Sequence, residues 1–168
     1  VGKTVTASVS YMDGGGTLET VTSAATDAVV NVNDAPTGSV TVTGTATQGG
    51  TLTADTSALA DADGLGTLSY QWKAGGVNID GATSSTYTLT QAEVGKTVTA
   101  SVSYTDGGGT LETVTSAATE AVVNVNDAPT GSVTVTGTAT QGGTLTADTS
   151  ALADADGLGT FSYQWKAG

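Results

Sequence analysis

The sequence predicts an all-β protein built from tandem β-sandwich modules of 93 residues. Three observations predict it. Residues 1–75 and 94–168 are one sequence at an offset of 93, apart from Met12/Thr105, Asp27/Glu120 and Leu68/Phe161. A period of that length marks an array of one domain-sized unit. Thr and Val, which favour strands, and Gly, which favours turns, dominate the composition. Within one period, apolar and polar residues alternate in short runs bounded by turn residues, which is the pattern of strands.

The two prolines set the joints. Each stands in the string Asn-Val-Asn-Asp-Ala-Pro-Thr-Gly, at 31–38 and 124–131. Pro36 and Pro129 fix φ and push the alanine before them into an extended conformation, so a short, stiff connector is expected. The complete module is placed at 34–126. Residues 1–33 are then the C-terminal part of a preceding repeat, and residues 127–168 the N-terminal part of the following one. The chain is expected to be a window on a longer array.

Inside 34–126 each strand is read from its alternation. Ser39–Thr43 puts Val40 and Val42 on one face. The Thr-Gly-Thr-Ala-Thr-Gln-Gly-Gly stretch at 43–50 is a turn. Thr51–Thr56 carries Leu52 and Ala54 inward. After a loop at 57–66, Thr67–Lys73 aligns Leu68, Tyr70 and Trp72. Ala74-Gly75-Gly76 closes a hairpin onto Val77–Ile79. Ser85–Thr90 carries Tyr87 and Leu89, and Gln91–Gly95 is a tight corner. Lys96–Tyr104 alternates Val98, Ala100, Val102 and Tyr104. Asp106-Gly107-Gly108-Gly109 is a hairpin tip, and Thr110–Val125 is one long last strand. About seven short strands at this spacing indicate a β-sandwich. Trp72, with its equivalent Trp165, is the natural core anchor.

Sixteen Asp and Glu against four Lys, with no Arg and no His, give a net charge of −12. That balance argues against nucleic acid and against anionic membrane surfaces, both of which need basic partners. No apolar run is long enough to span a bilayer, so direct membrane insertion is not expected, and no charged-then-apolar leader is read. The acidic charge either keeps an exported polymer in solution or binds divalent cations. Zero cysteine excludes disulfides and thiolate metal sites, and suits a bacterial exported chain as well as a cytosolic one. Catalysis finds no support. Without His or Cys, no base is placed to activate the many Ser and Thr hydroxyls. Asp61 and Asp63 share one loop instead of facing each other across a cleft.

Tyr70-Gln71-Trp72, the stretch Gly81-Ala82-Thr83-Ser84-Ser85-Thr86-Tyr87-Thr88-Leu89-Thr90, and Val94-Gly95-Lys96 resemble bacterial immunoglobulin-like repeats. Such repeats occur in giant type I-secreted surface adhesins of the RTX type. The resemblance covers the whole module. It implies an Ig-like fold, an extracellular or cell-surface location, and work as an extender that holds an adhesive tip away from the cell. Asn31-Val32-Asn33-Asp34-Ala35-Pro36 is also similar to the cadherin linker, and Ala60-Asp61-Ala62-Asp63-Gly64 to the cadherin Asp-x-Asp loop. In cadherins these motifs supply calcium ligands at a domain junction. Here Asn31 and Ala35 depart from the linker pattern, and Gln91-Ala92-Glu93 stands where cadherins have Asp-Arg-Glu. Fewer or weaker ions are therefore implied. The RTX nonapeptide repeat is absent.

Calcium takes six to eight oxygen ligands, and strand direction says which acids can converge. If the first strand runs down from the linker, the 57–66 loop and the 106–109 tip both lie at the top. Asn33, Asp34, Asp61, Asp63 and Asp106 then meet there from three segments. Like charges gathered this way repel unless a cation sits among them. At the other end, Glu93, Asn124 and Asn126 would face Asp127, Asp154 and Asp156 of the next module. Asp and Gly are also ordinary turn residues, which accounts for the same pattern without an ion.

The reading is a structural spacer with neighbouring identical repeats as partners, in the same chain or head-to-tail in a filament, and with calcium as the ion. The alternative is a carbohydrate- or protein-binding module, which would need an exposed aromatic such as Trp72 or Tyr87.

Overall fold

The computed structural model describes all 168 residues, and its regular structure is almost entirely β. The strands are β1 (Ser8–Met12), β2 (Leu18–Thr22), β3 (Thr41–Thr43), β4 (Thr51–Asp55), β5 (Ser69–Ala74), β6 (Val77–Asn78), β7 (Thr86–Thr88), β8 (Val98–Thr105), β9 (Leu111–Thr115), β10 (Thr134–Gly137) and β11 (Leu145–Asp148). They form a three-stranded sheet ordered β3-β4-β7, a four-stranded sheet ordered β6-β5-β8-β9, and two hairpins, β1-β2 and β10-β11. Every strand pair is antiparallel.

The two larger sheets share one core, which runs from Val40 to Val122. Its composition follows from the alternation. Along β8, Val98, Ala100, Val102 and Tyr104 are buried, while the intervening Thr99, Ser101 and Ser103 are half-buried, as period 2 requires. Leu52 and Ala54 enter from β4, and Trp72 and Ala74 from β5. Trp72 is fully buried. Its Nε1–H donates to the Ser84 carbonyl at 2.9 Å, and its ring lies 6.1 Å from that of Tyr87. On the outer face the hydroxyls pair across strands, as in Ser101–Thr115 at 2.9 Å.

The last strand differs from expectation. Thr110–Val125 is not one continuous strand, because the β8–β9 ladder ends at Thr115. Beyond it the backbone amides of Ser116, Thr119 and Val122 donate to the carbonyls of Ala100, Val98 and Lys96. One chain advances by three residues while its partner advances by two, so the segment bulges twice. The side chains hold the bulges open. Ser116 Oγ accepts from the Ala100 amide and Thr119 Oγ1 from the Val98 amide, each at 3.0 Å. Val122 and Val123 then make parallel bridges to Val94 and Thr47.

The flanking segments repeat the local structure of 34–126 without its burial. The β1–β2 register, from Ser8↔Thr22 to Met12↔Leu18, matches that of β8–β9. Trp165 stands one period after Trp72. It is half-exposed, because no strand equivalent to β8 covers it.

Candidate metal centre

Asp61, Asp63 and Asp106 come together at one end of the two sheets. One carboxylate oxygen from each lies within 4.8 Å of the others. Asp61 and Asp63 stand in the loop between β4 and β5, and Asp106 directly follows β8. The loop shapes itself, since the Asp63 amide donates to Asp61 Oδ1 at 2.9 Å. The hairpin tip is held the same way, with the Thr110 amide donating to Asp106 Oδ1 at 2.7 Å. Such side-chain-to-backbone turns are what Asp favours.

Two glycines let loop and tip touch. The Gly107 amide donates to the Asp63 carbonyl at 3.0 Å. A Cβ on Gly66 would sit 2.0 Å from the Thr105 carbonyl oxygen, so only glycine lets the chain pass so close to the end of β8.

Tyr104 lies beneath the carboxylates. Its hydroxyl donates to Asp61 Oδ2 at 2.7 Å. Burial pushes its phenol well above the ordinary range, and the bond to Asp61 and the nearby acids push further. Asp106 is buried, 6% exposed, and its Oδ2 has no hydrogen-bond partner. A buried carboxylate oxygen without a partner is costly. Three carboxylates at this spacing, one of them with an unpartnered oxygen, can hold a metal ion, and the residues fit such a group.

The remaining expected residues are placed differently. Asp34 joins the cluster through its amide, which donates to Asp63 Oδ2 at 2.8 Å. Asn33 Nδ2 donates to Glu112 Oε1 at 2.9 Å. At the second joint the Asp127 amide donates to Asp156 Oδ2 at 2.9 Å, and the Asp156 amide to Asp154 Oδ1 at 2.9 Å. This is the geometry of the first loop repeated. Asp156 is held below the usual carboxylate range, first by that Asp127 amide, then by the Asn124 and Gln91 side chains. Asn126 donates to the Asp127 carbonyl at 3.0 Å. Glu93 ends the short 3-10 turn Gln91–Glu93. It is buried in a capping box, its Oε2 accepting from the Thr90 amide and hydroxyl at 2.9 and 2.7 Å.

Sequence reasoning missed three contributors. Gln48 accepts from the Val125 amide at 3.1 Å and donates to Asp127 Oδ2 at 2.7 Å, tying the exit linker to the β3–β4 turn. Glu112 holds Asn33. Tyr104 reads from the sequence as a core ring, and the alternation that places it there says nothing of its hydroxyl. Gln48 and Glu112 lie far in sequence from the residues they hold, so no local pattern points to them. No helix is long and apolar enough to cross a membrane. Compared with protein-family models, with curated proteins and with solved structures, the chain finds no match.

Proposed function

We propose that the chain is a spacer: a run of Ig-like β-sandwich repeats that extends a bacterial cell-surface adhesin or extracellular fibre, with calcium bound at the top of each repeat. The observation that carries the reading is the near-identical 93-residue period with hydrogen bonds at its proline joints. Asn33 reaches Glu112 across the first joint, and Gln48 reaches Asp127 across the second. Joints held by side chains on both sides favour a fixed angle over a floppy linker.

Calcium is favoured by ligand type, because it takes oxygen ligands, carboxylates among them, and three carboxylate oxygens lie within 4.8 Å of one another. Asp61 and Asp63 would hold the ion from the loop and Asp106 from the hairpin tip, fixing the two segments beneath the joint. The ion would neutralise carboxylates that otherwise repel.

The binding-module alternative needs an exposed aromatic in the complete repeat, and Trp72 lies wholly in the core. Small-angle scattering of the chain in calcium and in chelator tests the spacer reading. A longer, narrower distance distribution in calcium is expected. A profile that is flexible and unchanged in both would remove calcium-stiffened joints from the account.

A further inference from the structure

We propose that Asp80–Gly81, in the turn between β6 and β7, is a covalent modification site, where the peptide bond rearranges spontaneously through a succinimide to isoaspartate. The fold leaves this Asp-Gly step free to react and restrains the others in the chain.

Asp-Gly occurs at Asp13, Asp63, Asp80, Asp106 and Asp156. The step is reactive because glycine has no side chain to shield its nitrogen from the carboxyl before it. Two freedoms are needed. The carboxyl must be released from its partners. The peptide unit must also rotate about the aspartate Cα–C bond, which brings the glycine nitrogen against Cγ.

Hydrogen bonds withhold these freedoms everywhere but at Asp80. Asp13 Oδ1 accepts from the Gly15 and Thr17 amides, Asp63 Oδ2 from Asp34, Asp106 Oδ1 from Thr110 and Asp156 Oδ2 from Asp127. The amides of Gly64, Gly107 and Gly157 are engaged as well, by the carbonyls of Asp61, Asp63 and Asp154. By contrast, the Asp80 carboxylate, the Asp80 carbonyl and the Gly81 amide make no hydrogen bond. Asp80 and Gly81 are both exposed.

The turn itself permits the rotation. The Ala82 amide closes it on the Ile79 carbonyl at 3.2 Å, and Gly81 has a φ of +72°, as in a type II turn. Flipping the central peptide gives a type I turn and keeps that closing bond. No atom stands within 4 Å of where a Cβ on Gly81 would be. Both residues border an open cleft of about 260 Å³, so water reaches them.

The chemistry needs only water and a proton. With the Asp80 carboxyl protonated, the Gly81 nitrogen attacks Cγ. The new N–Cγ bond closes a ring, and the carboxyl hydroxyl leaves as water with the amide proton. Water then adds to the former backbone carbonyl carbon and breaks its bond to nitrogen. The chain now runs through Cγ, one backbone atom longer, and the old carbonyl carbon has become the side-chain carboxylate. Addition at Cγ instead restores aspartate.

The extra atom falls where the turn is tied to the core. The Trp72 amide donates to the Ala82 carbonyl at 3.0 Å, the Ile79 amide donates to the Trp72 carbonyl at 2.9 Å, and Trp72 Nε1 donates to the Ser84 carbonyl at 2.9 Å. Lengthening the path from Ile79 to Ala82 moves these partners apart, so isomerisation should loosen the Trp72 anchor.

The full chain, aged in warm, mildly acidic buffer with chelator, tests this by peptide mapping. In the mass spectrum the succinimide is lighter by one water, and fragmentation at the Cα–Cβ bond tells isoaspartate from aspartate. Isoaspartate should form at residue 80 on the order of tenfold faster than at any other Asp-Gly step, the factor that one hydrogen bond to a charged group supplies. In concentrated urea the rates should converge, because the restraints are gone. No isoaspartate at residue 80, equal rates in the folded chain, or the same ranking in urea would each overturn the proposal. Asp80→Glu should stay unmodified at that position, since glutamate would have to close a larger ring. The aged wild type should melt lower than the fresh protein, and aged Asp80→Glu should not. Isomerisation at residue 80 without that fall, or an equal fall in Asp80→Glu, would overturn the link to Trp72.

Discussion

Replacing Trp72 and Trp165 in turn by alanine compares one sequence position in two structural settings. Trp72 is fully buried, donates through Nε1 to Ser84 and lies against Tyr87. Truncating a buried Trp costs about 3–5 kcal/mol, and the Ser84 carbonyl left without its donor adds on the order of 1 kcal/mol. A domain of this size has a total stability of roughly 5–14 kcal/mol. Trp72→Ala should therefore remove about 30% or more of the stability of residues 34–126, and abolish folding if that stability lies at the low end. Trp165→Ala, at a half-exposed side chain, should fall within about 0.5 kcal/mol. Urea denaturation followed by far-ultraviolet circular dichroism reads both, at concentrations where the chain is monomeric. Equal midpoint shifts would refute the assignment of one core to residues 40–122.

Two other perturbations act at separate points. Gly66→Ala drives a methyl group into the Thr105 carbonyl, so it should destabilise the protein by about 1–3 kcal/mol and lower calcium affinity by displacing Asp61 and Asp63, which calorimetry would show. The Tyr87 phenol is raised, first by burial and then by the Glu93 carboxylate. The folded chain thus keeps a proton that the unfolded chain releases near pH 10. The stability tied to this group is whole below that pH and is lost as pH rises through the raised value. Tyr87→Phe should make melting temperature fall less steeply between about pH 9.5 and 11, and an unchanged slope would contradict the assignment.

Much of the core could be read in advance because burial follows period 2. Val98-x-Ala100-x-Val102-x-Tyr104 and Leu52-x-Ala54 face inward as their alternation dictates. The break after Thr115 could not be read, because Ser116 and Thr119 look like the other polar positions of a strand. Their hydroxyls take the amides of Ala100 and Val98 only once the strands are paired. At the site, strand direction was enough to bring Asp61, Asp63 and Asp106 to one end. It could not show that Asp34 contributes its amide, or that Asn33 turns to Glu112, since those are choices of side-chain direction between segments distant in sequence. Glu93 is different. Thr90 followed three residues later by Glu is a capping-box pattern, and it was legible without the structure.

The most direct test is the melting temperature of the full chain and of Asp106→Asn, each in calcium and in chelator. The asparagine keeps an oxygen for the Thr110 amide and removes one of the three charges. A cation bound at about 100 times its dissociation constant adds roughly 2.7 kcal/mol, or on the order of 10 °C for a domain of this size. The wild type should show that rise in calcium. Asp106→Asn should show little of it, and in chelator should melt at or above the wild type because two like charges repel less than three. Identical melting of the wild type in calcium and chelator, or the same calcium-dependent rise in Asp106→Asn, would contradict a cation held by Asp61, Asp63 and Asp106.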